Sequence, residues 1–171
     1  MDWETPVDAW YVWLAVAMVS IALLGFVVGL PSQPPPDATQ AVNTIDRVAA
    51  STHQASATYE HGADEIRIDT KQLLLRNDGG TAEASVAFGS LTPVHAVNDD
   101  HKREALQRIS HGQQPAAVLR AYDFDSRALL DSASQTRRRI DRHGAEWRPT
   151  DGTLRVRKIE IAGETVVLLD T

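Results

Sequence analysis

The pattern of apolar and polar positions divides the chain at its first prolines. From Ala9 to Leu30 there is no charged residue, and Ser20 is the one strongly polar side chain. At about 1.5 Å per residue this run makes a helix of about 33 Å, which matches a hydrocarbon core of roughly 30 Å. Eleven of the residues are Leu, Ile, Val or Phe. At about -0.3 to -0.6 kcal/mol each they contribute roughly -3 to -7 kcal/mol toward insertion. Trp10, Tyr11 and Trp13 cluster at one end, as side chains at a membrane interface do. Pro31 and then Pro34, Pro35 and Pro36 stop the helix. The run is apolar on every face, which argues against an ordinary soluble helix. The pattern predicts an acidic tail over 1–8, a transmembrane helix over 9–30, a stiff Pro-rich linker over 31–40 and a globular domain over 41–171.

Within the domain the period changes repeatedly. Ala41, Val42, Ile45, Val48 and Ala49 form a helical stripe, and Asp37 with Gln40 suits a capping-box-like start. "STHQASATYEHGAD" is small and polar and reads as a loop. Ile66 and Ile68, then Ala82, Ala84, Val86 and Phe88, alternate with polar or small residues, the period of a half-buried strand. Asn77-Asp78-Gly79-Gly80 between them carries turn chemistry. "SLTPVHAV" reads as loop or a short edge piece, because of Pro93. Two helices follow, one capped by Asn98 and ending before Gly112, the other capped by Asp125 and ending at Gly144. Pro115 starts a short turn between them. A second hairpin runs through Leu154, Val156, Ile159 and Ile161 to Val166–Leu169. The change of parity after Val156 predicts a bulge near Arg157-Lys158, and the final apolar run predicts a strand covered on both faces. The expected class is α+β, with about four antiparallel strands in two hairpins and about three helices on one side.

Flanking charge bears on what the apolar run is for. Asp2, Glu4 and Asp8 precede it, with no Lys or Arg among residues 1–36. A cleaved signal has a basic front, a shorter apolar core and an A-x-A-like site; none is here. A pilin stalk needs a basic processing site and a helix that continues into the domain, and here prolines interrupt it. Sidedness is set by Lys and Arg within roughly 15–20 residues of a span, and Arg47 is the first basic residue. The acidic tail favours a cytoplasmic domain. The Pro-rich tether before a compact module favours display outside, and that is the orientation expected.

Composition narrows the chemistry. Cysteine is absent, so disulfides and thiol catalysis are excluded. The chain has 15 Asp against 8 Glu, 14 Arg against 3 Lys, and net charge -6. That bias fits a high-GC genome or a salt-loving archaeon. His53, His61, His95, His101, His111 and His143 show no H-x-x-x-H or H-E-x-x-H spacing, so no metal site or cofactor is expected. "DFDSRALLD" has the first two acidic spacings of a calcium loop, but Arg127 and Ala128 stand where ligand and glycine belong. Phosphate loops, dinucleotide fingerprints and nucleophile elbows are absent. "RRRIDR" is the one basic cluster, and Arg137, Arg138, Arg139 and Arg142 are candidate anion contacts, for lipid headgroups before nucleic acid. The domain after residue 36 has 17 basic and 20 acidic side chains, so nucleic acid is not an expected partner.

Taken with "DAWYVWL", "DRVAAS", "ADEIRI", "RNDGGTA" and "TLRVR", the chain resembles a family of small single-span haloarchaeal proteins built on a domain of unknown function. The resemblance implies a setting in the envelope, near secretion or pilus-like systems, and no functional residue. The leading expectation is a non-enzymatic envelope protein in the cell membrane, with the bilayer and unknown proteins as partners. A cytoplasm-facing tethered regulator or assembly factor is the alternative. A tethered hydrolase is a third reading, and it needs His, Asp and Ser groups brought together.

Overall fold

The computed structural model describes residues 9–29 and 33–171. The expected acidic tail, Leu30, Pro31 and Ser32 lie outside the described residues. The chain divides into two compact units, Met1–Ser32 and Gln33–Thr171. The first contains helix α1, Ala9–Val28, a helix long and apolar enough to cross a membrane. Its large side chains from Trp10 to Val28 are all exposed.

The second unit is α+β, with four helices and two four-stranded sheets. The helices are α2 (Ala38–Ala49), α3 (Asp100–Ser110), α4 (Pro115–Ala121) and α5 (Ser126–His143). The strands are β1 (Ala55–Glu60), β2 (Glu65–Ile68), β3 (Gln72–Asn77), β4 (Gly80–Ser85), β5 (Leu91–Pro93), β6 (Arg148–Pro149), β7 (Thr153–Ile161) and β8 (Glu164–Asp170). The first sheet has the order β1-β7-β8-β5, the second β4-β3-β2-β6. Pairing is antiparallel except between β5 and β8. The strand number is therefore twice the four expected. Three of the additions are short or low in apolar content: β1, in the stretch expected as a loop, is small and polar, and β5 and β6 have three and two residues. The fourth is β3, an apolar strand that a turn at 69–71 separates from β2.

One core lies between the sheets. Ile45 and Val42 of α2, Ile66 and Ile68 of β2, Leu73 and Leu75 of β3, Leu154 and Val156 of β7, and Val167 and Leu169 of β8 meet there. A second core covers the other face of the first sheet. Leu106 and Ile109 of α3, Val118 of α4 and Leu129 of α5 pack on Ile159, Ile161, Val166 and Leu168. So β7 needs no bulge. Its register with β8 is unbroken from Arg155↔Asp170 to Ile161↔Glu164, and the change of parity is a change of core. Arg157 and Lys158, side by side, point to opposite faces. Arg157 donates to the Ile109 carbonyl near the end of α3. Lys158 donates to the carbonyls of Ala49, at 2.9 Å, and Ser51 at the end of α2. Cations belong at these carbonyl-rich helix ends.

Helix starts follow the capping rule with one correction. Asp37 accepts from Gln40 N at 2.9 Å and Asp125 caps α5. Asp99, not Asn98, caps α3, accepting from Lys102 N at 3.1 Å. Asn98 instead accepts from Arg139.

The stretch expected to be a stiff Pro-rich linker over 31–40 lies partly against the domain from Gln33 onward. Pro36 and Ala38 are buried, and Asn77 Nδ2 donates to the Pro34 carbonyl at 3.0 Å. The backbone at Gln33 crosses the β3–β4 turn so closely that a Cβ on Gly79 would stand 2.1 Å from the Gln33 oxygen. Gly79→Ala must displace this crossing, because backbone cannot yield as a side-chain tip can. The expected cost is about 1–3 kcal/mol, read as a lower guanidinium midpoint for the full chain in detergent. An unchanged midpoint would show that the crossing contributes nothing.

Candidate functional site

The arginine cluster that the sequence presents as a unit is divided by helix geometry. Successive residues of α5 are separated by about 100° around its axis. Arg137 turns toward the first sheet, donating to Thr92 Oγ1 at 2.8 Å and Ser134 Oγ at 3.1 Å. Burial pushes its guanidinium below the usual arginine range, the neighbouring Arg138 adds to this, and Glu164 and Asp141 oppose it. Arg139 turns another way and donates to Asn98 Oδ1 and the Ala96 carbonyl. Arg138 and Arg142 are exposed.

Arg139 borders a cleft of about 480 Å³. The cleft lies where the end of α5 meets the short 3₁₀ turn Val94–Ala96, the start of α3 and the start of β6. Arg103 and Arg148 also line it, with His95, His143, Glu146 and Asn98. Ile68, Val97 and Ile140 supply apolar wall. Arg103 is fixed by donating to the Val97 carbonyl at 3.1 Å and pairing with Asp100. His95 is largely buried and its Nδ1 has no hydrogen-bond partner. Burial lowers its pKa to about 4, the nearby Arg148 adds to this, and Asp170 opposes it.

The other histidines do not converge. His61 is buried, and its Nδ1 faces the Ala63 amide at 3.3 Å. Burial lowers its pKa against the pull of Asp151. His111 and His143 stand at the ends of α3 and α5, as their place before Gly112 and Gly144 implied. His101 is exposed at the start of α3, and His53 in the loop before β1. Buried Asp170 gathers Ser110 Oγ at 3.1 Å and His111 Nε2 at 2.8 Å on one oxygen. The serine there donates to the carboxylate rather than to the imidazole, so this is an anchor for the end of α3 in β8. Among the described residues no group of three His, Asp or Glu side chains is placed to hold a metal.

Trp10, Tyr11 and Trp13 lie in the first turn and a half of α1, all more than half exposed. The rings of Trp10 and Tyr11 are 3.8 Å apart at 33°. The fourth tryptophan has a different role: Trp147 takes the Arg76 guanidinium over its ring at 4.4 Å and Arg67 at 5.7 Å, a stacking that favours arginine.

A model of a family of unknown function, DUF7283, matches residues 4–159. The chain belongs to that family. The match spans α1 and the domain through most of β7. Neither a curated protein nor a solved structure matches the chain. A family of unknown function is what the sequence motifs implied, and no chemistry comes with it.

Sequence reasoning missed the cleft because its arginines, at positions 103, 139 and 148, come from three separate elements, α3, α5 and β6. His95 gives a pH test. Its folded pKa of about 4 lies below the ordinary 6.5, so only the unfolded chain takes up this proton between those values. The stability contributed is present above about pH 6.5 and lost as pH falls toward 4. The full difference corresponds to at most about 3 kcal/mol. Wild type should lose more stability than His95→Gln between pH 7 and 4.5 in urea unfolding; equal losses would show that His95 is solvated.

Proposed function

We propose that this protein is a single-span membrane protein that displays a non-enzymatic protein-interaction domain on the extracytoplasmic side of the cell envelope. The observation that carries the reading is α1, twenty residues without a charge, with none of its apolar window buried. In water that surface would be an aggregation hazard; in lipid it is the favoured state. Display outside is supported by the Pro-rich tether that precedes a compact module; flanks without Lys or Arg among residues 1–36 favour neither side. The expected setting is as an accessory to a secretion or pilus-like system.

An interaction role is supported by the way the domain's polar side chains are used. Arg137, Arg139, Arg157, Lys158 and Asp170 are engaged in holding elements together. Phe88, by contrast, is 53% exposed, the one exposed large apolar side chain among the described residues outside α1. Its loop is rigid: the Ala87 and Phe88 amides both donate to Asp46, at 3.0 and 3.1 Å, and Lys71 donates to the Gly89 carbonyl. An aromatic side chain held out on a fixed loop suits a protein contact.

Alkaline carbonate should leave the full chain in the membrane pellet, and protease added to intact cells should remove the domain. Release without detergent would overturn the anchor. Protection of the domain would favour the alternative, a cytoplasm-facing regulator or assembly factor.

A haloarchaeal source is the finer part of the proposal. It rests on the excess of Asp over Glu and the scarcity of Lys, since a strongly hydrated anionic surface self-repels at low salt. The thermal midpoint of the detergent-solubilised chain should rise by several degrees between dilute and molar KCl. A flat response would point to a non-halophilic source.

A further inference from the structure

We propose that the cleft at the end of α5 binds a phosphate-type oxyanion carried on a short organic body. Three arginines from three elements line it: Arg103 of α3, Arg139 of α5 and Arg148 of β6. Glu146 is the one carboxylate in its lining. Of the carboxylates nearby, Asp100 is paired with Arg103 and Asp170 is held by Ser110 and His111. The positive charge is therefore incompletely matched by the protein itself.

Two of the guanidiniums are also already placed. Arg139 is held by Asn98 and the Ala96 carbonyl, Arg103 by the Val97 carbonyl. Each guanidinium has five N–H donors, so donors remain on both, and their ordering cost is met before a ligand arrives. Arg148 has an exposed side chain with no hydrogen bond or ion pair among the described residues. Planar guanidiniums recognise phosphate and carboxylate oxygens. With Asp100 already paired to Arg103, Arg139 and Arg148 against the single lining carboxylate Glu146 leave an excess of positive charge that suits phosphate.

The volume of about 480 Å³ falls in the range of small-molecule sites, about 300–1,000 Å³, and exceeds what a bare ion fills. Ile68 and Ile140 give the remainder an apolar wall. The phosphate group can come from a lipid headgroup or from a soluble phosphoester. The assignment is independent of the domain's role as an interaction module and of its orientation.

The test is calorimetric titration of the full chain in dodecyl maltoside micelles, at constant ionic strength, with inorganic phosphate and with glycerol phosphate. Saturable binding is expected for both, tighter for glycerol phosphate. Arg148→Gln should weaken it roughly tenfold with an unchanged thermal midpoint, while Arg142→Gln, outside the cleft on the same helix end, should leave it unaltered. Repeating the titration in phosphatidylglycerol nanodiscs separates the sources. Loss of phosphate binding there marks a lipid headgroup already seated in the cleft, and undiminished binding marks a soluble ligand. Absence of saturable binding in micelles, full affinity in Arg148→Gln, or equal weakening by Arg142→Gln would each overturn the proposal.

Discussion

The domain depends on one constraint, the burial of its first sheet on both faces. A strand turns successive side chains to opposite sides, so β8 sends Val167 and Leu169 into the inter-sheet core and Val166 and Leu168 under the helices. β7 answers it unevenly. Its first half serves the inter-sheet core through Leu154 and Val156, its second half the helical core through Ile159 and Ile161. At the crossover two cations face opposite ways, Arg157 to the end of α3 and Lys158 to the end of α2. One strand pair thereby positions a helix on each side, and a one-residue slip would exchange the two faces.

The cleft inherits its geometry from the same sheet. β5 adds to β8 in parallel and ends at Pro93, so the chain passes into the turn that carries His95. Arg137 ties α5 to Thr92 within β5, and Arg139 ties it to the residues just beyond. The cleft thus forms beside a sheet edge, between the end of α5 and the start of α3. Burial and neighbouring guanidinium together keep His95 neutral, so near neutral pH the positive charge there belongs to the arginines.

The two units of the chain differ in what they expose. α1 exposes its apolar surface along its whole length, whereas the domain buries its large aliphatic side chains in two cores and leaves Phe88 outside. The chain between them is not a free spacer throughout. From Gln33 it lies on the β3–β4 turn, and Gly79 is small enough to let it pass.

Continuous or strongly periodic apolar patterns were legible without coordinates. The spanning length of α1, the stripe of α2, the caps at Asp37 and Asp125 and the two-sided character of Val166–Leu169 follow from local spacing, because each is a property of consecutive residues. What lacked local apolar signal was not legible. β1 is Ala-Ser-Ala-Thr-Tyr-Glu, which becomes a strand by pairing with β7, and β5 and β6 are too short to show a period. The site divides in the same way. Arg137, Arg138, Arg139 and Arg142 are neighbours in sequence, and helical rotation sends them to different surroundings. His95, Arg103, Arg139 and Arg148 are distant in sequence, and only packing brings them to one cleft. The sequence determined what each segment had to hide from water; the tertiary structure decided which polar groups were left facing one another once that burial was done.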